Sequence, residues 1–217
     1  MSEKQKYDFI PQLDNPANVH HIELRLVPKD SYVLDVGCHT GILAGALQQF
    51  NNARVVGIDT DASALAVART RMKDALLLNI EETGWEAVLV QQGWKNFDVI
   101  LFGDVLEHTR DPEAILTAAK KLLKPGGRIV VSIPNIANLR VRIGLLFGRF
   151  AYADSGILDR THLRFFTRTS GRQMIERCGY RVTETDVAGY SLPHWLIKRF
   201  SGLLAVQLVY AAEIATT

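Results

Sequence analysis

Between Tyr32 and Asp59 the chain reads YVLDVGCHTGILAGALQQFNNARVVGID, and few folds accommodate that order of residue types. The apolar run Tyr32-Val33-Leu34 leads into Asp35-Val36-Gly37 and on to Gly41, where a helical pattern starts. A second short run, Val55-Val56-Gly57-Ile58, ends on Asp59. Strand, glycine-bearing turn, helix, strand and terminal acid make the first half of a nucleotide-binding α/β unit. Gly37 and Gly41 carry no Cβ, so the backbone can bend sharply and approach a ligand closely. Asp59 follows the turn by about 20 residues, the spacing at which an acid on a strand end binds both ribose hydroxyls. The pattern predicts an adenosine-type cofactor.

Charge decides which one. A dinucleotide site packs its glycines as GxGxxG so that a pyrophosphate can rest on a helix N-terminus. Here the pattern is Asp35-x-Gly37-x-x-x-Gly41, with Cys38, His39 and Thr40 crowding the turn. A carboxylate at Asp35 repels a pyrophosphate and favours an amine or a sulfonium. S-adenosylmethionine carries both cations and no phosphate. At these residues the sequence resembles the class I S-adenosylmethionine-dependent methyltransferases, whose first motif typically reads VLDVGCGTG. His39 stands where that motif has its middle glycine, so the turn must accept a side chain at the mouth of the cofactor site.

The stretches FDVILFGDVLEH and LKPGGRIVVSIPN match later motifs of the same family, and the resemblance runs continuously over residues 33–135. It implies a Rossmann-like, seven-stranded, mostly parallel sheet with its last strand antiparallel and helices on both faces. It also implies cofactor contacts from Asp35, Gly37, Cys38, His39, Gly41, Asp59, Thr60, Asn79, Ile80, Gly103 and Asp104. The family usually has an aspartate at position 79 to accept the adenine amino group. Asn79 can accept through its amide oxygen, or it can simply turn the chain.

Around this frame the elements follow from pattern. Residues 15–27 suggest a short helix ended by Pro28, on which the adjacent His20 and His21 point to different sides and read as solvated or capping groups. In methyltransferases of the type this chain resembles, that helix often covers the cofactor, which would bring them near it. Leu65, Ala68 and Met72 give one apolar helix face, residues 75–78 a short buried strand, and residues 97–102 another. Asp111 caps a helix with Pro112 at its first position, and Lys120, Lys121 and Lys124 offset that helix's C-terminal dipole. Residues 128–133 read as a strand. Thr167 caps a further helix whose Met174, Ile175 and Cys178 face the core, which Gly171 weakens and Gly179 stops. A strand at 180–187, a short helix at 193–200 and a strand at 204–212 complete the set.

The 217 residues, 47% of them apolar, suffice for one core, and the whole chain 1–217 is expected to be a single domain. Within it, residues 135–164 exceed what a strand-to-helix link needs and read as a helical lid over the substrate side. A net charge of +2 with mixed signs gives no basic footprint for nucleic acid. The opening MSEKQKYDFIPQ has no apolar h-region, so no signal peptide is expected, and the longest apolar run, 202–212, is broken by Gln207 and too short for a membrane span. Cys38 and Cys178 form neither a disulfide framework nor a metal pattern, and a cytoplasmic chain without metal is the expectation.

Methyl transfer needs an acceptor held in line and, for a hydroxyl, a base to take its proton. Two histidines qualify. His108 follows the fourth strand, on the sheet edge where ligands bind. His162 lies in DRTHLRFFT, which resembles an H-L-x-F-F-T signature of methyltransferases associated with polysaccharide and cell-surface biosynthesis. The reading assigns His162 as base with His108 as its second, and Asp159 as the group that could hold an imidazole in one tautomer. Arg140, Arg142, Arg160 and Arg164 read as a solvated face above Leu145, Leu146 and Phe147; a grip on an acidic acceptor and contact with a lipid carrier are the alternatives. The expected function is O-methylation of a small molecule or glycan by S-adenosylmethionine, with S-adenosylhomocysteine as product. A cofactor-binding subunit without turnover is the alternative, and a nicotinamide oxidoreductase is disfavoured by Asp35 and the missing glycine triad.

Overall fold

The computed structural model describes residues 13–190 and 192–215. The N-terminal stretch on which the signal-peptide reading rests, residues 1–12, lies outside the described residues. The first described helix, α1 (Val19–Leu26), starts where the Asn18 side chain accepts from the His20 N–H. Then come β1 (Tyr32–Val36), α2 (Ile42–Asn51), β2 (Arg54–Asp59), α3 (Ala62–Ala68), β3 (Asp74–Leu77), α4 (Trp85–Gln91) and β4 (Phe97–Gly103). A 3-10 turn, Leu106–His108, leads to α5 (Pro112–Ala119), and a second, Lys120–Leu122, leads from it into β5 (Leu123–Pro134). After α6 (Leu139–Leu146) follow α7 (Arg168–Arg177), β6 (Tyr180–Ala188), α8 (His194–Arg199), α9 (Ser201–Leu204) and β7 (Gln207–Ile214).

The seven strands form one sheet in the order β3-β2-β1-β4-β5-β7-β6. β1 to β5 pair in parallel, and β7 runs antiparallel between β5 and β6. Because side chains alternate across a strand, each strand feeds two cores. Leu34, Val56, Ile100 and Val131 face α4, α5 and α7, while Val33, Val55, Val99 and Val130 face α1, α2 and α3. The strand order reverses between β1 and β4, so their C-terminal ends open a crevice there.

Several expectations change in detail. β3 is the sheet's edge rather than a fully buried strand, and Leu77 on it is exposed. The last strand starts at Gln207, since residues 201–204 form a short helix instead. Beyond the end of α5, Lys121 pairs with Glu86 of α4 at 2.8 Å and Lys124 of β5 pairs with Asp98 of β4, so these cations join neighbouring elements rather than cap a helix. Gly171 is no weak point. A Cβ there would stand 2.6 Å from Ile133 Cδ1, so the missing side chain lets α7 lie close on the sheet. In residues 135–164 the only described helix is α6, and the remainder is irregular, with isolated bridges from Asn135 to Phe166 and from Ala153 to Asp159. Among the described residues no helix is long and apolar enough to cross a membrane.

Candidate active site

The turn after β1 folds as its glycines allow. Gly37 and Gly41 take φ of +71° and +72°, and His39 itself is left-handed at φ +45°. Histidine is among the few residue types found there with any frequency, which is how the turn dispenses with the motif's middle glycine. A Cβ on Gly37 would come within 2.5 Å of Val105, and one on Gly41 within 2.8 Å of Met72. Gly57 has an equally strict role. Its missing Cβ leaves room for Cys38, whose Sγ would be only 2.5 Å away. Burial pushes the Cys38 thiol up, so this cysteine packs the turn and does not act as a nucleophile.

Below the turn, Asp59 ends β2 with one oxygen accepting from the His39 N–H at 2.8 Å and the other from the Asp61 N–H at 2.9 Å. The carboxylate is thereby fixed while keeping lone pairs for two ribose hydroxyls. Asn79 Oδ1 accepts from the Glu81 N–H at 3.0 Å, so this amide does turn the chain, as the plainer of its two readings held. It lines the cleft all the same.

That cleft, of about 1200 Å³, spans the C-terminal ends of β1, β2 and β4. Of the sequence-predicted cofactor residues, Asp35, Gly37, Cys38, His39, Asp59, Thr60, Asn79, Ile80, Gly103 and Asp104 line it. Gly41 is not in the lining; it is packed against Met72 and Ala68. The structure adds lining residues that the sequence did not single out, above all Glu23 and Gln207, and brings His20 beside them.

Acid dominates the floor. Glu23 is 1% exposed, receives His20 Nδ1 at 2.9 Å on Oε2, and has no hydrogen-bond partner on Oε1. Asp104, left-handed at φ +51°, is held by Gln207 Nε2 and by the Ser132 hydroxyl at 3.2 Å. Burial, then the charges of Glu23 and Asp59, push the Asp35 carboxyl up to about 8. Asp104 is raised by burial and by Glu23. Burial is the largest single effect and opposes the His20 imidazolium, but the hydrogen bond to Glu23 together with the charges of Glu23, Asp104 and Asp35 outweighs it and the pKa rises. Three carboxyl groups with an orphaned oxygen, facing one cavity, suit a cationic ligand and repel a phosphate.

At the far end of the cleft, His108 and Thr161 line the wall. His108 Nδ1 lies 3.3 Å from the Thr161 carbonyl oxygen and 3.1 Å from its Oγ1. Thr161 Oγ1 donates its own proton to buried Asp159, at 2.7 Å, so toward His108 it can only accept. Both contacts place the proton on Nδ1 and the lone pair on Nε2. His162 packs edge-on against His108, with ring centroids 4.8 Å apart, and directs Nδ1 at the Ile157 carbonyl, 3.2 Å away. It stands behind His108, outside the lining. Buried Glu107 lies against the pair, one of its oxygens and a nitrogen of each ring falling within 4.8 Å of one another. Burial, with Asp104 next in effect, holds the Glu107 carboxyl well above the usual range.

The family model described as a methyltransferase domain matches residues 12–185. The chain belongs to that family. Its acid-lined cleft suits the two cations of S-adenosylmethionine. Among curated proteins it is similar to the ubiquinone biosynthesis O-methyltransferases of Coxiella burnetii, 33% identical over 123 residues, and of Pseudomonas fluorescens, 35% identical over 130. These alignments cover 57% and 59% of the methyltransferase and 52% and 55% of the two relatives, so the chain spans about half the length of the curated relatives it matches. In fold it is similar to an S-adenosylmethionine-dependent methyltransferase from Mesorhizobium loti, with a TM-score of 0.62 at 16% identity over 92% of this chain and 99% of that one. A second, from Archaeoglobus fulgidus, gives 0.60 at 15% identity over 89% and 90%.

Replacing Asp59 should show what holds the ribose. Asp59→Ala removes the acceptor for two turn N–H groups and, where Asp59 also holds the ribose, is expected to weaken cofactor binding by about 1–3 kcal/mol. Calorimetric titration with S-adenosylhomocysteine measures this directly. Unchanged affinity would mean that the ribose is held elsewhere.

Proposed function

We propose that this methyltransferase O-methylates a hydroxyl-bearing small molecule or glycan, with His108 as general base and His162 as its support. The observation that carries the reading is the tautomer of His108: a residue of the cleft wall whose Nδ1 is committed to Thr161 and whose Nε2 therefore bears the lone pair. Bound against the acid floor, S-adenosylmethionine supplies an electrophilic methyl group on its sulfonium. His108 Nε2 would take the proton of the acceptor hydroxyl as the oxygen–methyl bond forms, the methyl–sulfur bond breaking and leaving S-adenosylhomocysteine. Asp159 acts one step back, fixing Thr161, which fixes the imidazole. This differs from the arrangement expected from sequence, in which His162 was the base. The name of the curated relatives supports oxygen as the methylated atom. Residues 135–164 belong to the same single domain in this reading and cover its acceptor side.

The test uses methyl-labelled S-adenosylmethionine with a catechol and with a simple methyl glycoside as acceptors. Label on an acceptor oxygen, from either probe, supports the proposal and distinguishes phenolic from sugar hydroxyls. Tight binding of S-adenosylhomocysteine without transfer to either class would favour a cofactor-binding subunit instead.

A further inference from the structure

An amphipathic helix in a folded domain normally buries its apolar stripe against its own core. α6 does the reverse. Val141 is its one buried residue, while Leu139, Ile143, Leu145 and Leu146 are exposed. Leu146 is 80% exposed and the following Phe147 71%. The exposed apolar surface continues through Phe150 and Tyr152, whose rings meet edge-on at 5.4 Å, and Phe150 stacks in the same way on Phe165 at 6.1 Å. Phe165 in turn packs on His162, which abuts His108 in the cleft wall. A contiguous apolar face thus leads from solvent to the base end of the cleft. Patches of this extent mark an interaction surface.

The charges around the face select its partner. From 139 to 165 the sequence holds five arginines and two aspartates, and Asp159 is buried. Arg160 pairs with Asp154 at 2.7 Å, whereas exposed Arg140 and Arg149 have no carboxylate partner among the described residues. A second copy docking through this face about a two-fold axis would set arginine against arginine, an unfavourable like-charge contact. A surface of anionic headgroups over hydrocarbon matches both parts, with arginines among the headgroups and Leu146 and Phe147 beneath them.

We propose that residues 139–165 dock the protein on an anionic lipid bilayer, with the His108 end of the cleft held at the membrane surface. The solvated-face reading of these arginines gives way to a membrane-contacting one. A hydroxyl carried on a lipid or on a lipid-linked molecule would then reach the cleft without crossing water. The docking goes beyond the assignment of O-methylation and is read without any methyl transfer, so either can fail while the other stands.

The experiment is co-sedimentation of the full chain with phosphatidylglycerol vesicles and with phosphatidylcholine vesicles. Partition onto the anionic vesicles is expected to exceed that onto the zwitterionic ones by about tenfold or more, and to fall as salt rises. The double variant Leu146→Glu, Phe147→Glu should lose about tenfold or more of that partition. Arg140→Glu with Arg149→Glu should lose a comparable amount, chiefly at low salt. All four positions lie outside the cleft lining, so S-adenosylhomocysteine affinity must stay at its original value and certifies that the variants fold. Equal partition of wild type and folded variants would overturn the proposal, as would no preference for anionic vesicles. So would a wild-type dimer, seen by ultracentrifugation and lost in the Leu146/Phe147 variant, with no vesicle binding.

Discussion

His108→Ala is expected to lower methyl-transfer turnover by about 10²–10⁴-fold, the usual worth of a general base, while cofactor affinity stays near its original value. The cause is local. His108 lies in the cleft wall beside Thr161, whose contacts, held by Asp159, favour the proton on Nδ1. Measured at saturating cofactor, the acidic limb of the pH–rate profile should vanish with the imidazole if His108 takes the proton. Thr161→Val tests the relay from the other side. It leaves the Thr161 carbonyl but removes the Oγ1 that accepts from Nδ1, so turnover should fall less than in His108→Ala. His162→Ala separates the two assignments. If His162 supports the ring it packs on, its loss should cost less than that of His108 and leave the acidic limb in place. A His108 variant with full turnover on the true acceptor, beside a His162 variant without it, would return the base to His162.

The frame of this site was legible because it is written in adjacent residues. Strand, turn and acid from Tyr32 to Asp59 form one continuous unit, so spacing alone put Asp35, Gly37 and Asp59 at one crevice. The acid floor was only half legible for the opposite reason. Glu23 comes from α1 and Gln207 from β7, and they meet Asp35 and Asp104 only once the sheet has formed. Each left a trace: Gln207 interrupts the longest apolar run of the chain, and Glu23 follows His20 by one helical turn. Neither trace names its partner. The order of the two histidines failed in the same way. His162 sits in the more recognisable motif, yet the backbone of 161–164 hangs from the Glu107 carbonyl, which receives the Leu163 and Arg164 N–H groups and sets His162 behind His108. Residues 135–164 misled through composition. Their apolar residues look like helix core, but among the described residues only 139–146 form a helix, and it turns Leu139, Ile143, Leu145 and Leu146 outward.

Affinity for S-adenosylmethionine is expected to fall about tenfold for each pH unit from about pH 8 down to about pH 6. In the unliganded protein, burial and the charges of Glu23 and Asp59 hold the Asp35 carboxyl at about 8, so near neutrality it is mostly protonated. A cation in the cleft favours the ionised form and draws that pKa down, so binding must expel a proton. Calorimetry in two buffers of different ionisation enthalpy reads the proton directly. The stability of the unliganded protein should slope the other way. A carboxyl raised from 3.8 in the unfolded chain to about 8 in the folded one contributes stability that is complete below the lower value and is lost as pH rises through the higher. The melting temperature should therefore decline across that interval without cofactor, while the increment on adding cofactor should grow. Asp35→Asn removes the titration at nearly constant shape. It should bind more weakly at about pH 8 but with a flatter pH profile, leaving only what Asp104, raised by burial and by Glu23, still contributes. Affinity independent of pH in the wild type, with no proton released, would mean that Asp35 does not meet the cofactor's charge.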